Sequence, residues 1–139
     1  MKARNVIVFL GAAVATYIVW LYGGHLWNKQ FLLNRTFEGV VAWYFYTWGY
    51  DALLLFVAGA SLALVIRSSR RTYWAAALGA TISLLHLLET RWILFDWSLD
   101  NVVWNVGRYL IPVITASLGG LVVDRLAPSP SSNNRWRGP

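Results

Sequence analysis

Asp51, His86, Glu89 and Arg108 are the residues of this chain whose types and positions could do chemistry, because each interrupts a long apolar stretch. An ionisable side chain inside such a stretch costs about 2.5–3.5 kcal/mol to place in a bilayer, so several of them together mark a site or an interhelical lock. Glu89 follows His86 by three positions, which sets both on one face of a helix. Asn101, Asn105 and Arg108 recur at helical spacing as a second polar stripe, and Asp51 continues a face with Tyr44 and Trp48. Carboxylates beside an imidazole are acid–base groups, which makes Asp51, His86 and Glu89 the candidate catalytic residues. Arg108 and Asn105, with Tyr50, Trp48 and Trp104 as aromatic walls, are the candidate ligand-binding residues.

The elements that must position these groups follow from composition. The chain is 58% hydrophobic and 13% charged, against about 25% charged in an ordinary soluble domain. Four apolar stretches, at 5–22, 40–66, 73–95 and 102–123, meet or approach the roughly 20 residues that cross a hydrocarbon core of about 30 Å. The expected fold is therefore all-α: a polytopic membrane protein, an antiparallel bundle of four transmembrane helices filling residues 1–126 as one domain. The Pro-, Ser- and Asn-rich segment 127–139 is expected to be a disordered tail. Gly23-Gly24 is predicted to end the first helix, with the amphipathic stretch up to Gly39 lying along the interface.

Counting along the predicted spans puts the charges at one depth. Asp51 and Arg108 lie about 15 residues, and Glu89 about 16, from the ends of their spans at Ile66, Val123 and Tyr73. At roughly 1.5 Å per residue all three stand some 22–24 Å up the core, in a shared layer of the outer half. Three interpretations fit such a layer. Arg108 bridging Asp51 and Glu89 is an ion-pair lock that fixes helix register; the same groups around a void are a ligand or catalytic pocket; and a relay inward is a proton path. The inner halves of the spans offer only hydroxyls such as Ser61, Thr81, Ser83, Thr115 and Ser117, with no carboxylate chain, which disfavours the path. Arg91, two positions from Glu89, points elsewhere and is expected to snorkel to the outer interface.

Orientation comes from the basic residues. Lys2, Arg4, Arg67, Arg70, Arg71, Arg125, Arg135 and Arg137 flank one side, against Lys29 and Arg35 on the other. This bias places both termini in the cytoplasm. The Lys2/Arg4 prefix and Ala13-Val14-Ala15 also resemble a signal peptide, but the apolar run from Tyr17 to Leu21 argues for a retained helix. Asn34-Arg35-Thr36 matches a glycosylation sequon, a short pattern that is common by chance. The aromatics at the outer ends of the second, third and fourth spans form an interfacial belt, or in part a pocket wall.

Several function classes are excluded or disfavoured. The net charge of +6 belongs to span flanks and anionic lipid, so nucleic acid is not an expected partner. The chain has no cysteine, which removes disulfides, thiolate metal sites and thiol catalysis. Two histidines, His25 and His86, without paired-carboxylate spacing make no transition-metal centre, and no phosphate-binding loop, nucleophile elbow or HExxH pattern is present. No metal and no cofactor is expected.

Asp51 is followed eight residues later by Gly59, the next helix carries a second acid at Glu89, and the last has Asn105 with Pro112 seven positions on. This pattern, over about 44–123, resembles the EXPERA-domain family of emopamil-binding sterol isomerases and related sterol-handling four-helix membrane proteins. In that family the fourth helix can carry Trp three positions after the Asn, where this chain has Arg108, and its first-helix His and Glu have no counterpart in the uncharged 11–22. Sterol isomerisation needs an acid, a base and an aromatic face for the carbocation between them. A cation at Arg108 opposes that carbocation, so the resemblance implies ligand binding more than isomerisation.

The expectation is thus a membrane protein with a polar pocket in the outer half of its bundle, taking a lipid-like or amphipathic small molecule, with acid–base chemistry left open. The competing expectation is a non-catalytic accessory or assembly subunit of a larger membrane complex, with the buried charges as a lock. Partners under these readings are membrane lipids, a small hydrophobic ligand, and a membrane-protein partner or second copy of the chain.

Overall fold

The computed structural model describes residues 3–34, 40–66, 68, 70–89 and 99–127, with side chains described for these except 28, 30–34, 40–45, 89, 99–101 and 103–105. The chain is all-helical, with α1 over Ala3–Asn34, α2 over Val40–Val65, α3 over Arg71–Glu89 and α4 over Leu99–Leu126. Three helices are long and apolar enough to cross a membrane, over Ala3–Trp27, Tyr46–Val65 and Val106–Leu126. The expected continuation of the third span to residue 95 and the tail beyond residue 127 lie outside the described residues.

Leu-, Ala- and Val-rich composition with few charges makes these stretches helical, and small residues decide how they pack. A Cβ on Gly59 would collide with the backbone of Ala116, and one on Gly119 with the backbone of Phe56 and Ala60. α2 and α4 therefore meet backbone to backbone at two places. Along α3 and α4 the contacts run in opposite order: Ser83 meets Tyr109, Gly79 meets Pro112, Ala75 meets Gly120 and Thr72 meets Asp124.

Two apolar clusters fill the interior. Ala13, Leu62, Ile66 and Leu78 form one, bordered by Phe9 and Trp74, whose rings stand 5.4 Å apart. Leu55, Ile82 and Ala116 form the other, bordered by Tyr17 and Trp20. The end opposite the polar layer is closed by a clasp between α3 and α4. The Arg71 guanidinium, buried at the start of α3, donates to the carbonyl of Ala127 at 2.7 Å, and the Thr72 hydroxyl donates to Asp124 at 2.5 Å.

The first helix departs from expectation. It passes through Gly23-Gly24 without a break and ends at Asn34, so the predicted interfacial stretch is helical at least to that point. The physical reason is tertiary. The hydroxyl end of Tyr50 lies where a side chain at Gly23 would stand, its ring packs against Gly24, and the hydroxyl donates to the Val19 carbonyl at 2.8 Å. The glycine pair seats a neighbouring helix instead of stopping its own. Only 11% of the most apolar window of α1 is buried, against 28% for those of α2 and α4, so α1 is the least enclosed of the three long helices.

Candidate functional site

The polar layer gathers around a cavity of about 270 Å³ to which all four helices contribute. α1 supplies Trp20, Leu21, Gly24, His25 and Trp27; α2 supplies Thr47, Tyr50 and Asp51; α3 supplies His86 and α4 Arg108.

Asp51 is 4% exposed and His86 3% exposed. The Trp20 indole N–H donates to Oδ1 of Asp51 at 2.8 Å. The other side of the same indole meets His86 edge-on, with ring centroids 4.6 Å apart and planes at 75°. One tryptophan thus connects the acid of α2 to the imidazole of α3. Burying a carboxylate without such a donor costs several kcal/mol, so the indole is part of what lets Asp51 stand there. The next turns of α1 complete the wall. Trp27 stacks obliquely on Tyr46 and Tyr50, at 5.1 and 5.6 Å between centroids, and donates its N–H to the Tyr46 carbonyl at 3.1 Å.

Arg108 reaches the layer from a turn that Pro112 modifies. A proline inside a helix lacks the N–H that would bond the carbonyl four residues back, here that of Arg108, and its ring crowds that turn. The Ser83 hydroxyl donates to the neighbouring Tyr109 carbonyl at 2.9 Å, so α3 supplies a donor to the loosened turn. This gives Ser83 a structural task within α4.

Of the residues singled out from the sequence, Asp51, His86, Arg108 and Tyr50 come together on the cavity wall. Trp48 lies one turn away and fills the space beside Gly107, whose missing side chain admits the indole. Glu89 lies at the end of α3, and Trp104 and Asn105 on α4, with side chains outside the described residues. Trp20, His25, Trp27 and Thr47 were not singled out. The signal for Trp20 was present: a polar-tipped aromatic in an uncharged span, one turn from Tyr17, needs an acceptor for its N–H when buried. Among the described residues no three His, Asp or Glu side chains gather as a metal site would require.

No family model, curated protein or solved structure matches the chain. The reading of the site therefore stands on its geometry.

Proposed function

We propose that this chain is an integral membrane protein, an antiparallel four-helix bundle with cytoplasmic termini, whose cavity binds a lipid-like or amphipathic small molecule. The observation that carries this reading is the cavity, where Asp51, His86 and Arg108 face a void walled by Trp20, Trp27 and Tyr50. Binding sites of this kind combine apolar and aromatic walls with a few convergent polar groups. The outside of the protein supports the membrane part. Ile7, Leu10, Val14 and Ile18 on α1, Leu53, Val57 and Leu64 on α2, and Val106, Leu110, Ile114 and Leu118 on α4 are all exposed, a solvent-facing surface better suited to lipid tails than to water.

Asp51 and His86, with Glu89 at the end of α3, are the acid–base groups of this proposal; Arg108 and Tyr50 hold the ligand's polar part. Gly59, eight residues after Asp51, is one of the places where α4 meets α2 backbone to backbone. The test is native mass spectrometry of the tagged protein extracted gently from its own membrane. A stoichiometric small molecule present in the wild type and lost in Asp51→Asn supports the pocket. Retention unchanged in folded Asp51→Asn, Glu89→Gln and Arg108→Gln variants ends it.

A second reading, an accessory subunit of a larger membrane assembly, is favoured by the outer face of α1, which stays uncovered along Ile7, Leu10, Val14 and Ile18. A stoichiometric protein partner without a small molecule in the same spectra selects it.

A further inference from the structure

The cavity carries opposite charges on different helices. Asp51 projects from α2 and Arg108 from α4, and both line the same void. A purely anionic ligand would bring its charge toward the Asp51 carboxylate, and a purely cationic one toward the Arg108 guanidinium. A neutral apolar ligand would line up against both groups without offering either a hydrogen bond or a charge. A ligand carrying both signs meets neither penalty.

The walls add to this selection. Trp27 and Tyr50 are packed against each other beside Asp51, and Trp20 bonds to it. Aromatic faces next to a carboxylate attract an ammonium through the ring quadrupole as well as through charge. Arg108 offers a planar fork of donors suited to phosphate or carboxylate. Size narrows the class further. The void of about 270 Å³ falls just below the roughly 300–1,000 Å³ of pockets that enclose a drug-sized molecule. It suits a compact headgroup whose chain stays outside among the helices.

We propose that the cavity recognises a zwitterionic headgroup of the phosphoethanolamine kind, with its ammonium against Asp51 and the Trp27–Tyr50 wall and its phosphate against Arg108. This rests on the reading of the cavity as an amphiphile site and deepens it by naming the chemistry. That chemistry has two sources, a membrane lipid or a free phosphoethanolamine ester.

The experiment is a native mass spectrometric titration of the full chain in a non-ionic detergent. The probes are lysophosphatidylethanolamine, lysophosphatidylglycerol and lysophosphatidic acid of one chain length. The wild type is expected to retain the ethanolamine lipid over the two anionic ones by about tenfold or more, the effect of one charge-assisted hydrogen bond. Asp51→Asn is expected to lose its hold on the ethanolamine lipid and with it the preference over the two anionic ones, and Arg108→Gln to weaken all three lipids together. Equal retention of the three lipids by the wild type overturns the headgroup proposal and leaves the amphiphile site standing. Retention of none overturns the headgroup proposal too, and the amphiphile site is then decided by what the chain carries out of its own membrane. The wild-type order is decisive by itself if Asp51→Asn does not fold. Adding tailless glycerophosphoethanolamine separates the sources: displacement of the lysolipid supports a free ester as the ligand, and its failure to displace supports a lipid.

Discussion

The indole N–H of Trp20 is 2.8 Å from Oδ1 of Asp51 and joins α1 to α2 at the floor of the cavity. The same ring packs edge-on against His86, so replacing it alters the surroundings of two of the candidate acid–base groups at once. Trp20→Phe keeps most of the ring and removes the donor. Trp20→Phe and Asp51→Ala, which removes the acceptor, are each expected to lower the unfolding free energy in detergent micelles, and the double variant to lose less than the sum. The expected coupling is about 0.6–1.7 kcal/mol, the range found for interhelical hydrogen bonds in membranes. Strict additivity would show that the bond contributes nothing.

Glycine positions that look alike in the sequence differ in what surrounds them. A methyl group at Gly59 runs into the backbone of Ala116, whereas one at Gly11 meets nothing within 4 Å. Gly59→Ala is expected to destabilise by about 1–3 kcal/mol, as overpacking does. Gly11→Ala should be neutral or stabilise by up to about 1 kcal/mol through helix propensity. Thermal melts of the two variants side by side check the contrast, and a shared sign would contradict the close approach of α2 and α4.

Tyr50 and Gly23 form a pair in which one substitution should rescue the other. Gly23→Ala places its methyl against the Tyr50 hydroxyl, so it is expected to destabilise. Tyr50→Phe alone removes the bond to Val19 and should cost about 0.5–1.5 kcal/mol. In the double variant the obstructing oxygen is gone, and the loss should fall below the sum. Denaturant titration of the three variants measures this.

At the opposite end, Arg71 holds the carbonyl of Ala127 while Thr72 holds Asp124. Arg71→Ala is expected to lower the local opening free energy by about 1.5–3 kcal/mol, the contribution of a hydrogen bond to a charged group. The effect should appear as faster amide hydrogen exchange at the end of α4, with exchange around Leu55 unchanged. Uniform acceleration along the chain would mean that the clasp supports the whole fold and not only that end.

How far the sequence was legible depended on which physical term ruled at each place. The helices could be derived because apolar run length is a local quantity; of the three charges expected at one depth, Asp51 and Arg108 meet at the cavity, with His86 beside them, while the side chain of Glu89 lies outside the described residues. The stop expected at Gly23-Gly24 was wrong because glycine's low helix propensity is also local, and Tyr50 on α2 turns those two residues into a packing surface. Trp48 and Tyr50 look equivalent in sequence, both aromatic and two residues apart. Gly107 on α4 gives Trp48 a packing partner, while Tyr50 remains on the cavity wall. Trp20 is not marked by charge in the first span, and its role rests on the acceptor that a buried indole donor needs, which comes from another helix.

The sparse enclosure of α1 bears on how the protein is made. Helices leave the ribosome in order, and under the membrane reading α1 enters the bilayer before any partner exists. It can wait there, since residues 5–28 carry no Asp, Glu, Lys or Arg and most of the helix surface stays uncovered even in the finished fold. Asp51 arrives next, into a bilayer that already holds the Trp20 donor. Arg108 comes last, with α2 and α3 in place and their small residues ready to receive α4. Synthesis order thus gives Asp51 its indole donor on arrival and leaves Arg108, the other costly group, to a bilayer that already holds the three helices around it.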